Sequence, residues 1–243
     1  MMLEVDDLHA FYGASHVVQG VSFSIDQGEA VALMGRNGVG KTSTLKSIMG
    51  MDTRTRGTIK FLGKPFRGVA AHQRAARGLG YVPEERAVFP QMTVEENIRI
   101  GALLQPGSDQ QGCLERAYSL FPILRERRKQ MAGTLSGGQQ KMLALARAIA
   151  LQPKLLMVDE PTEGLMPANV ELITNALVAA TQSGLTVLVV DSSFDLVRQL
   201  CSRIYAMDRG VLTGRYSPAD FSSPDELAAT YLGTSQQANG RAP

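Results

Sequence analysis

The chain has 243 residues, of which 44% are hydrophobic and 20% are charged, a composition typical of a globular protein with a substantial core. Lys plus Arg number 25 and Asp plus Glu number 23, so the formal net charge is only +2. This balance argues against a dedicated nucleic-acid-binding protein, which usually has a marked basic excess. No apolar run approaches the roughly 18 residues that would span a bilayer. Cys113 and Cys201 form no Cys-X-X-Cys pair and give no support for a zinc or redox site.

Short apolar segments in the N-terminal part of the chain predict strands, and one segment between them predicts a helix. The predicted strands, read from alternating or continuous apolar residues, are 3–5, 21–25, 30–34, 57–62 and 79–82. The helix is expected to run from Lys41 to about Met49, and Gly50 is expected to end it. Such alternation of strand and helix is typical of an α/β protein.

From about residue 93 the pattern becomes helical. Thr93 followed by Glu96 has the spacing of a capping box, which predicts the start of a helix. Apolar residues at helical spacing predict another helix over 114–124, after a polar loop at 105–112. This segment is interpreted as a helical insert in the α/β chain.

A long helix and two fully apolar strands are predicted in the second half of the chain. The helix covers residues 139–151, and Pro153 stops it. The apolar runs 155–158 and 186–190 are typical of strands that are buried on both faces of a parallel sheet. Residues 234–243 are small and polar, and we expect them to form a flexible tail.

Residues 35–42 read Gly-Arg-Asn-Gly-Val-Gly-Lys-Thr and match a phosphate-binding loop, between a predicted strand and a predicted helix. Glycines let successive backbone N–H groups face an anion, and the helix N-terminus adds its positive end. Lys41 is expected to reach the β- and γ-phosphates, and the Thr42 hydroxyl to bind Mg²⁺. The predicted ATP-binding residues here are Gly35, Arg36, Asn37, Gly38, Gly40, Lys41, Thr42 and Ser43.

Two adjacent carboxylates follow the apolar run 155–158. Ligands bind at the C-terminal ends of the strands in open parallel sheets, so a phosphate loop requires an acidic partner at that edge. Asp159 is expected to hold Mg²⁺ through water. Glu160 is expected to be the catalytic carboxylate that orients or deprotonates the attacking water, with Lys41 as the second catalytic group.

Residues 135–139 read Leu-Ser-Gly-Gly-Gln and precede a predicted helix. A serine and two glycines at a helix start form a second anion site. Between the phosphate loop and the carboxylates, this segment resembles the signature of ABC-type ATPases, the nucleotide-binding subunits of ATP-driven transporters. The resemblance implies that two chains enclose two ATP molecules. It assigns to the ATP of the opposite subunit the residues Ser136, Gly137, Gly138 and Gln139.

The resemblance covers nearly the whole chain and implies the fold. It predicts an α/β protein with a P-loop (RecA-like) parallel sheet core, an antiparallel β subdomain and a helical subdomain insert. A single ABC-type ATPase domain would cover 1–233, with its core at about 1–86 and 151–233 and its helical subdomain at about 87–150. Tyr12 occupies the position where the family stacks an aromatic ring on adenine, and a packed tyrosine at a strand end is the alternative.

Two segments resemble a narrower group, the ATP-binding subunits of branched-chain amino acid importers and their urea-transporter relatives. They are residues 81–90 (Tyr-Val-Pro-Glu-Glu-Arg-Ala-Val-Phe-Pro) and 92–97 (Met-Thr-Val-Glu-Glu-Asn), and the ending Tyr231-Leu232-Gly233 is also similar. The resemblance implies a heterodimer with a second ATP-binding subunit, two transmembrane subunits and, indirectly, a solute-binding protein. It also implies peripheral attachment at the cytoplasmic face of the inner membrane, without nucleic acid.

Two positions depart from the wider family. Glu84 stands where the family usually has a glutamine that meets Mg²⁺ and the attacking water, although a carboxylate remains a suitable ligand of a hard cation. Ser192 stands where the family usually has a histidine that contacts the γ-phosphate, and serine carries no positive charge. With Glu160 retained, the sequence predicts a chain that binds ATP and Mg²⁺ but contributes a weakened hydrolytic site.

The predicted function is to couple ATP-driven dimer closure to solute uptake, with branched-chain amino acids preferred over urea or another small amide. A soluble ABC ATPase of DNA repair or translation is an alternative of another class. Such proteins usually carry a long coiled-coil insert or tandem phosphate loops, which this sequence lacks. A regulatory nucleotide-binding module without catalysis is favoured slightly by Ser192 and opposed by Lys41, Asp159 and Glu160.

Overall fold

The computed structural model describes residues 1–51, 54–85, 87–103 and 109–231. The predicted tail at 234–243 lies outside these residues, as do Leu232 and Gly233 of the ending noted above. In chain order the strands are β1 (Leu3–Tyr12), β2 (Ser15–Ile25), β3 (Ala30–Met34), β4 (Arg54–Phe61), β5 (Lys64–Pro65), β6 (Leu79–Val82), β7 (Leu155–Asp159), β8 (Thr186–Val190), β9 (Arg203–Asp208) and β10 (Val211–Tyr216). The helices are α1 (Lys41–Met49), α2 (Ala71–Ala76), α3 (Val94–Leu103), α4 (Gln110–Leu120), α5 (Pro122–Glu126), α6 (Gly137–Ala150), α7 (Pro167–Gln182), α8 (Phe194–Leu200) and α9 (Pro224–Tyr231).

The strands form two sheets. A four-stranded sheet has the order β2-β1-β4-β5 with antiparallel pairing, and a six-stranded sheet has the order β10-β9-β3-β8-β7-β6. The pairs from β9 to β6 are parallel, and β10 adds an antiparallel edge. The prediction of a parallel core with a separate antiparallel sheet is confirmed, and α3 to α6 supply the helical insert between β6 and β7.

The central strands of the larger sheet are buried on both faces. In β3, Val31 and Leu33 pack into one hydrophobic cluster with the antiparallel sheet and α1, whereas Ala32 and Met34 pack into another with helices of the insert and α7. Strands β7 and β8 divide their side chains in the same way. Each strand therefore reads as a continuous apolar run, because neither face meets water.

Several predicted boundaries are confirmed, and others are wrong. The strands at 30–34, 79–82 and 186–190 and the helix Lys41–Met49 have the predicted limits. Strands β1 and β2 are longer than predicted, because their outer faces are polar and the apolar pattern covers only part of each strand. Helix α2 falls in a polar stretch for which no helix was predicted.

The prediction for the helical insert was wrong at two points. Residues 110–112 were assigned to a polar loop, yet they form the first turn of α4, which Asp109 caps by accepting a hydrogen bond from the Gly112 N–H. The single helix predicted over 114–124 is divided into α4 and α5 at Phe121, whose φ is −138°. Pro122 is responsible, since it disfavours helical backbone at the preceding residue and is suited to the first turn of a new helix.

The C-terminal end of α1 is fixed by Arg74, which is buried in α2. Its guanidinium donates to the carbonyl oxygens of Ser47 (3.0 Å) and Ile48 (2.6 Å), which are among the last in α1, and to that of Phe66 (3.2 Å). A cation at this end is also favoured by the helix dipole. The helix that follows the phosphate-binding loop is therefore fixed at its far end.

An ion pair between Glu29 and Arg203 joins the N-terminal ends of the parallel strands β3 and β9. Both side chains are mostly buried, and the guanidinium makes two hydrogen bonds to the two carboxylate oxygens, one of them Nε to Oε1 at 2.8 Å. Bidentate charge-assisted pairs of this kind are strong and geometrically specific. The pair holds the two strands together at their N-terminal ends. The phosphate-binding loop follows the opposite, C-terminal end of β3.

Replacing Arg203 by Met is expected to lower the free energy of unfolding by about 3–5 kcal/mol, because Glu29 is left as a nearly buried, unpaired charge. Urea unfolding measures the change. The matched control is Arg215→Met in β10, where the side chain is exposed and the loss is expected to stay below about 0.5 kcal/mol. Equal losses in the two variants would contradict the assignment.

Candidate functional site

A cleft of about 270 Å³ opens beside the N-terminal end of α1. It is lined by Val17, Asn37, Gly38, Gly40, Lys41, Thr42, Ser43, Glu84, Glu160 and Glu163. Most of these residues belong to the loop between β3 and α1 or follow the C-terminal ends of β6 and β7. The structure thus brings together the phosphate-binding loop and the acidic residues, which are far apart in sequence.

Glycine is required at both ends of the phosphate-binding loop. Gly40 has a φ of +110°, and a Cβ there would lie 2.9 Å from the carbonyl oxygen of Val17. A Cβ on Gly35 would lie 2.1 Å from the carbonyl oxygen of Met207 in β9. Any other residue would therefore clash with backbone that cannot move away easily, and the loop would not reach α1 in this conformation.

The Lys41 ammonium group is surrounded by oxygen atoms. The side chain is buried, donates hydrogen bonds to the carbonyl oxygens of Gly35 (2.8 Å) and Arg36 (3.1 Å), and lies 3.4 Å from Oε1 of Glu160. These partners orient the ammonium group within the loop. Arg36, in contrast, contributes its backbone oxygen and keeps its side chain exposed.

Asp159 ends β7 and is almost fully buried. The Thr42 hydroxyl donates to Oδ1 (3.1 Å), and the Tyr81 hydroxyl at the end of β6 donates to Oδ2 (3.2 Å). Burial raises the pKa of Asp159, whereas the hydrogen bonds from Thr42 and Tyr81 and the charge of Lys41 lower it. Burial also raises the pKa of Tyr81, as does the Asp159 charge, so its hydroxyl remains a donor.

Glu160 has a left-handed backbone, with a φ of +46°. Its N–H donates to the carbonyl oxygen of Val190 in β8 (2.7 Å), and its own carbonyl oxygen accepts from Nζ of Lys141 (2.8 Å). Burial raises the pKa of the Glu160 carboxyl, while Lys41 opposes this and the nearby Asp191 adds to it. A buried carboxylate with a raised pKa beside a cleft is well suited to accept a proton.

Glu84 and Glu163 bring two further carboxyl groups to the cleft. Burial raises the pKa of Glu84, and a hydrogen bond with the Glu163 side chain and its charge raise it further. In the described ranges, no group of three or more His, Cys, Asp or Glu side chains is arranged to hold a metal ion by itself. A cation here would therefore also need the Thr42 hydroxyl and oxygen atoms of a ligand.

The segment Ser136–Gln139 forms the start of α6. The Ser136 hydroxyl accepts a hydrogen bond from the Gln139 N–H (3.3 Å), and the Gln139 side chain accepts one from the Ser136 N–H (3.2 Å). Ser136 and Gly137 are exposed, whereas Gly138 is buried. Among the described residues, those that line the cleft do not include this segment, so it forms no part of the cleft of its own chain.

Tyr12 and Ser192 are not among the residues that line the cleft, and neither are Gly35, Arg36, Asp159 and the start of α6. Tyr12 ends β1 with its side chain 39% exposed, while Val17 of the neighbouring strand lines the cleft. Ser192 is exposed after β8, between Asp191 and Ser193. The carboxylate of Asp191 is buried and accepts hydrogen bonds from Thr162 and from the Ser193 N–H. Asp191 thus ties the loop after β8 to the loop after Glu160.

No role at the site was predicted for Tyr81, Lys141 or Val17. For Tyr81 a signal existed, because it lies near the C-terminal end of a predicted strand, at the edge where Asp159 was expected. The Lys141 ammonium group donates to backbone carbonyl oxygens of residues 19 and 22 positions away, and no side-chain pattern reveals such bonds. Val17 contributes through the pairing of β1 with β2, whose length was underestimated.

A glycine-rich loop that leads from a parallel strand into a helix, next to a buried acidic strand end, defines a P-loop nucleoside triphosphatase. A family model described as ABC transporter matches residues 18–163, and the chain belongs to this family. It is therefore an ATPase that binds and hydrolyses ATP. None of the helices in the described ranges is both long and apolar enough to cross a membrane.

Individual ATP-binding proteins of transport systems are similar to this chain over almost its whole length. The high-affinity branched-chain amino acid transport ATP-binding protein BraG of Pseudomonas aeruginosa is 34% identical over 232 residues, which cover 96% of this chain and 100% of BraG. The lipopolysaccharide export system ATP-binding protein LptB of Escherichia coli K12 is 30% identical, covering 95% and 97%. A solved ATP-binding subunit of an ABC transporter is 27% identical with a TM-score of 0.83, covering 96% and 99%.

Proposed function

We propose that the chain is the ATP-hydrolysing subunit of an ABC importer whose solute is a branched-chain amino acid. The observation that carries the catalytic part is the Glu160 carboxylate, buried beside Lys41 in the wall of the cleft. The similarity to BraG, which covers 96% of this chain, supports the importer part. The proposal treats residues 1–233 as one ABC-type ATPase domain, with its core at about 1–86 and 151–233 and the helical subdomain at about 87–150.

In the proposed reaction the phosphates of ATP bind at the N-terminal end of α1, where backbone N–H groups and Lys41 are available. Water attacks the γ-phosphorus while the bond to the β–γ bridging oxygen breaks, giving ADP and inorganic phosphate. Glu160 accepts the proton from this water, which its raised pKa favours. Tyr12 stacks on the adenine ring from the exposed end of β1.

The residues at the cleft fit a Mg²⁺ ion. Oδ1 of Asp159 and Oγ1 of Thr42 are 3.1 Å apart, and the Glu84 carboxyl group lines the same cleft. All are oxygen donors, which this hard cation prefers. When bound, Mg²⁺ would compensate negative charge on the β- and γ-phosphates. Tyr81 contributes by holding the other oxygen of Asp159, which fixes the orientation of the carboxylate.

The exposed start of α6 supports a two-chain site. A helix N-terminus with free N–H groups attracts an anion, and the Ser136 hydroxyl adds a donor. Since Ser136, Gly137, Gly138 and Gln139 do not line the cleft of their own chain in its described part, they are available to the ATP of an opposite subunit. We assign that subunit to a second, different ATP-binding chain.

The transport partners follow from the same proposal. Two transmembrane subunits hold the ATPase at the cytoplasmic face of the inner membrane, and a solute-binding protein delivers the solute to them. LptB, a component of an export system, is nearly as similar as BraG, so the direction of transport rests on the modest difference in identity and on the segments 81–90 and 92–97. Urea or another small amide is the alternative solute.

Replacing Glu160 by Gln is expected to lower ATP turnover by about 100-fold or more, because an amide accepts no proton from the attacking water. ATP should remain bound, since Lys41 and the loop are unchanged. The matched control is Glu171→Gln, an exposed glutamate in α7, which should keep the original turnover. Undiminished hydrolysis in the Glu160 variant would show that another group is the catalytic base.

Replacing Ser192 by His is expected to raise ATP turnover in the assembled complex severalfold. The histidine would supply a hydrogen-bond donor to the γ-phosphate that serine supplies only weakly. Ser192 is exposed, so there is room for the larger imidazole side chain of histidine. Ser192→Ala controls for the loss of the hydroxyl. An unchanged or lower rate in the histidine variant would contradict the proposal that Ser192 weakens the hydrolytic site.

Purification of the tagged chain from its native membrane in mild detergent tests the assembly. We expect a second ATP-binding chain and two membrane subunits to co-purify. ATP turnover of this complex should rise with a solute-binding protein loaded with a branched-chain amino acid, and not with urea. Recovery with chains of a lipopolysaccharide-type exporter, with ribosomal or nucleic-acid partners, or alone would contradict the importer proposal and leave the ATPase assignment in place.

A further inference from the structure

Lys141 connects α6 to the loop that carries Glu160, and the proposed reaction gives it no role. Its ammonium group donates to the carbonyl oxygen of Glu160 (2.8 Å) and to that of Glu163 (2.9 Å). Both acceptors belong to the loop between β7 and α7. One side chain of α6 therefore fixes two points of this loop, one of them the residue that bears the carboxylate.

The Glu160 backbone needs such a partner. A left-handed conformation is strained for a residue other than glycine, and Glu160 has a φ of +46°. Its N–H is held by the carbonyl oxygen of Val190, and its carbonyl oxygen by Lys141. A cationic donor makes a stronger hydrogen bond than a neutral one. Together the two bonds keep the backbone orientation that brings the carboxylate to Lys41.

The other end of the connection is the start of α6. Lys141 lies five residues after Ser136, which caps the helix. Gly138 packs directly on Asn169 in the first turn of α7, where a Cβ on Gly138 would lie 2.4 Å from Nδ2. The first turns of α6 are thus packed against α7 and bonded to the loop before it. A displacement at Ser136 would be transmitted to Glu160, because Ser136 caps the same continuous helix whose Lys141 donates to the Glu160 carbonyl oxygen.

We propose that Lys141 is a positioning residue that couples the N-terminal end of α6 to the Glu160 carboxylate of the same chain. The inference rests on the proposed function, in which that end of α6 binds the ATP of the opposite subunit and Glu160 is the catalytic base. Binding of nucleotide at one site then sets the geometry of the catalytic carboxylate at the other.

Replacing Lys141 by Met in the purified complex is expected to lower kcat for ATP by between about 10- and 100-fold, because small displacements of a reacting group cost this much. The KM for ATP should change less than about twofold, since Lys41 and the phosphate-binding loop are untouched. Lys141→Arg should keep much of the rate, because a guanidinium can also donate to two carbonyl oxygens. The matched control is Lys129→Met, which removes the same charge at an exposed position.

A double-mutant cycle tests the coupling to the start of α6. Ser136→Ala and Lys141→Met act on the same carboxylate, so their combined effect on kcat should be smaller than the product of the two separate effects. A combined effect equal to the product would overturn the coupling. An unchanged kcat in Lys141→Met, or a parallel loss of ATP affinity and of the unfolding midpoint, would overturn the positioning role.

The inference and the proposed function fail in different ways. If Glu160→Gln keeps its turnover, the catalytic base has been misassigned and the proposed function fails with it. If Glu160→Gln is inactive while Lys141→Met is fully active, the proposed function stands and this inference is wrong. If Lys141→Met does not fold, Lys141→Gln replaces it, because glutamine keeps a neutral hydrogen-bond donor. The expected result is the same: kcat is lowered and the KM for ATP is nearly unchanged.

Discussion

The left-handed backbone of Glu160 is the constraint on which the site depends. For a residue with a side chain this conformation costs about 1–2 kcal/mol, so the surrounding structure must hold it. Three neighbours do so, namely Val190 through the N–H, Lys141 through the carbonyl oxygen and Lys41 through the carboxylate. These neighbours belong to β8, α6 and α1. The position of one carboxylate is therefore set jointly by the sheet, the helix of the Ser136 segment and the helix of the phosphate-binding loop.

The same backbone turn separates the tasks of two adjacent carboxylates. Asp159 is still part of β7, and both of its oxygen atoms accept hydrogen bonds, from Thr42 and from Tyr81. Glu160 leaves the strand and reaches Lys41 instead. Burial raises the pKa of both carboxyl groups, but the fixed hydrogen bonds restrain Asp159 in one orientation. This arrangement suits Asp159 to hold a cation and leaves Glu160 to exchange a proton.

The sequence was informative where chemistry requires particular residues in a fixed order. The phosphate-binding loop, the acidic end of β7 and the apolar strands were predicted because glycine, lysine, carboxylate and burial leave local patterns. The division of α4 from α5 at Phe121 was missed, although Pro122 signals it. The contacts of Lys141 could not be predicted at all, since they join a side chain to backbone carbonyl oxygens whose positions depend on the packing of α6 against α7.

Acidic side chains outnumber basic ones among the described residues that line the cleft. Among the described residues that line it, Lys41 is the one cation, whereas Glu84, Glu160 and Glu163 are acidic. Asp191, buried nearby, adds negative charge that raises the pKa of Glu160, and the uncharged Ser192 supplies nothing to offset it. A bound triphosphate would add further negative charge to this cleft. In the proposed function, a divalent cation and the exposed start of α6 from an opposite chain supply positive potential in addition to Lys41 and the N-terminus of α1.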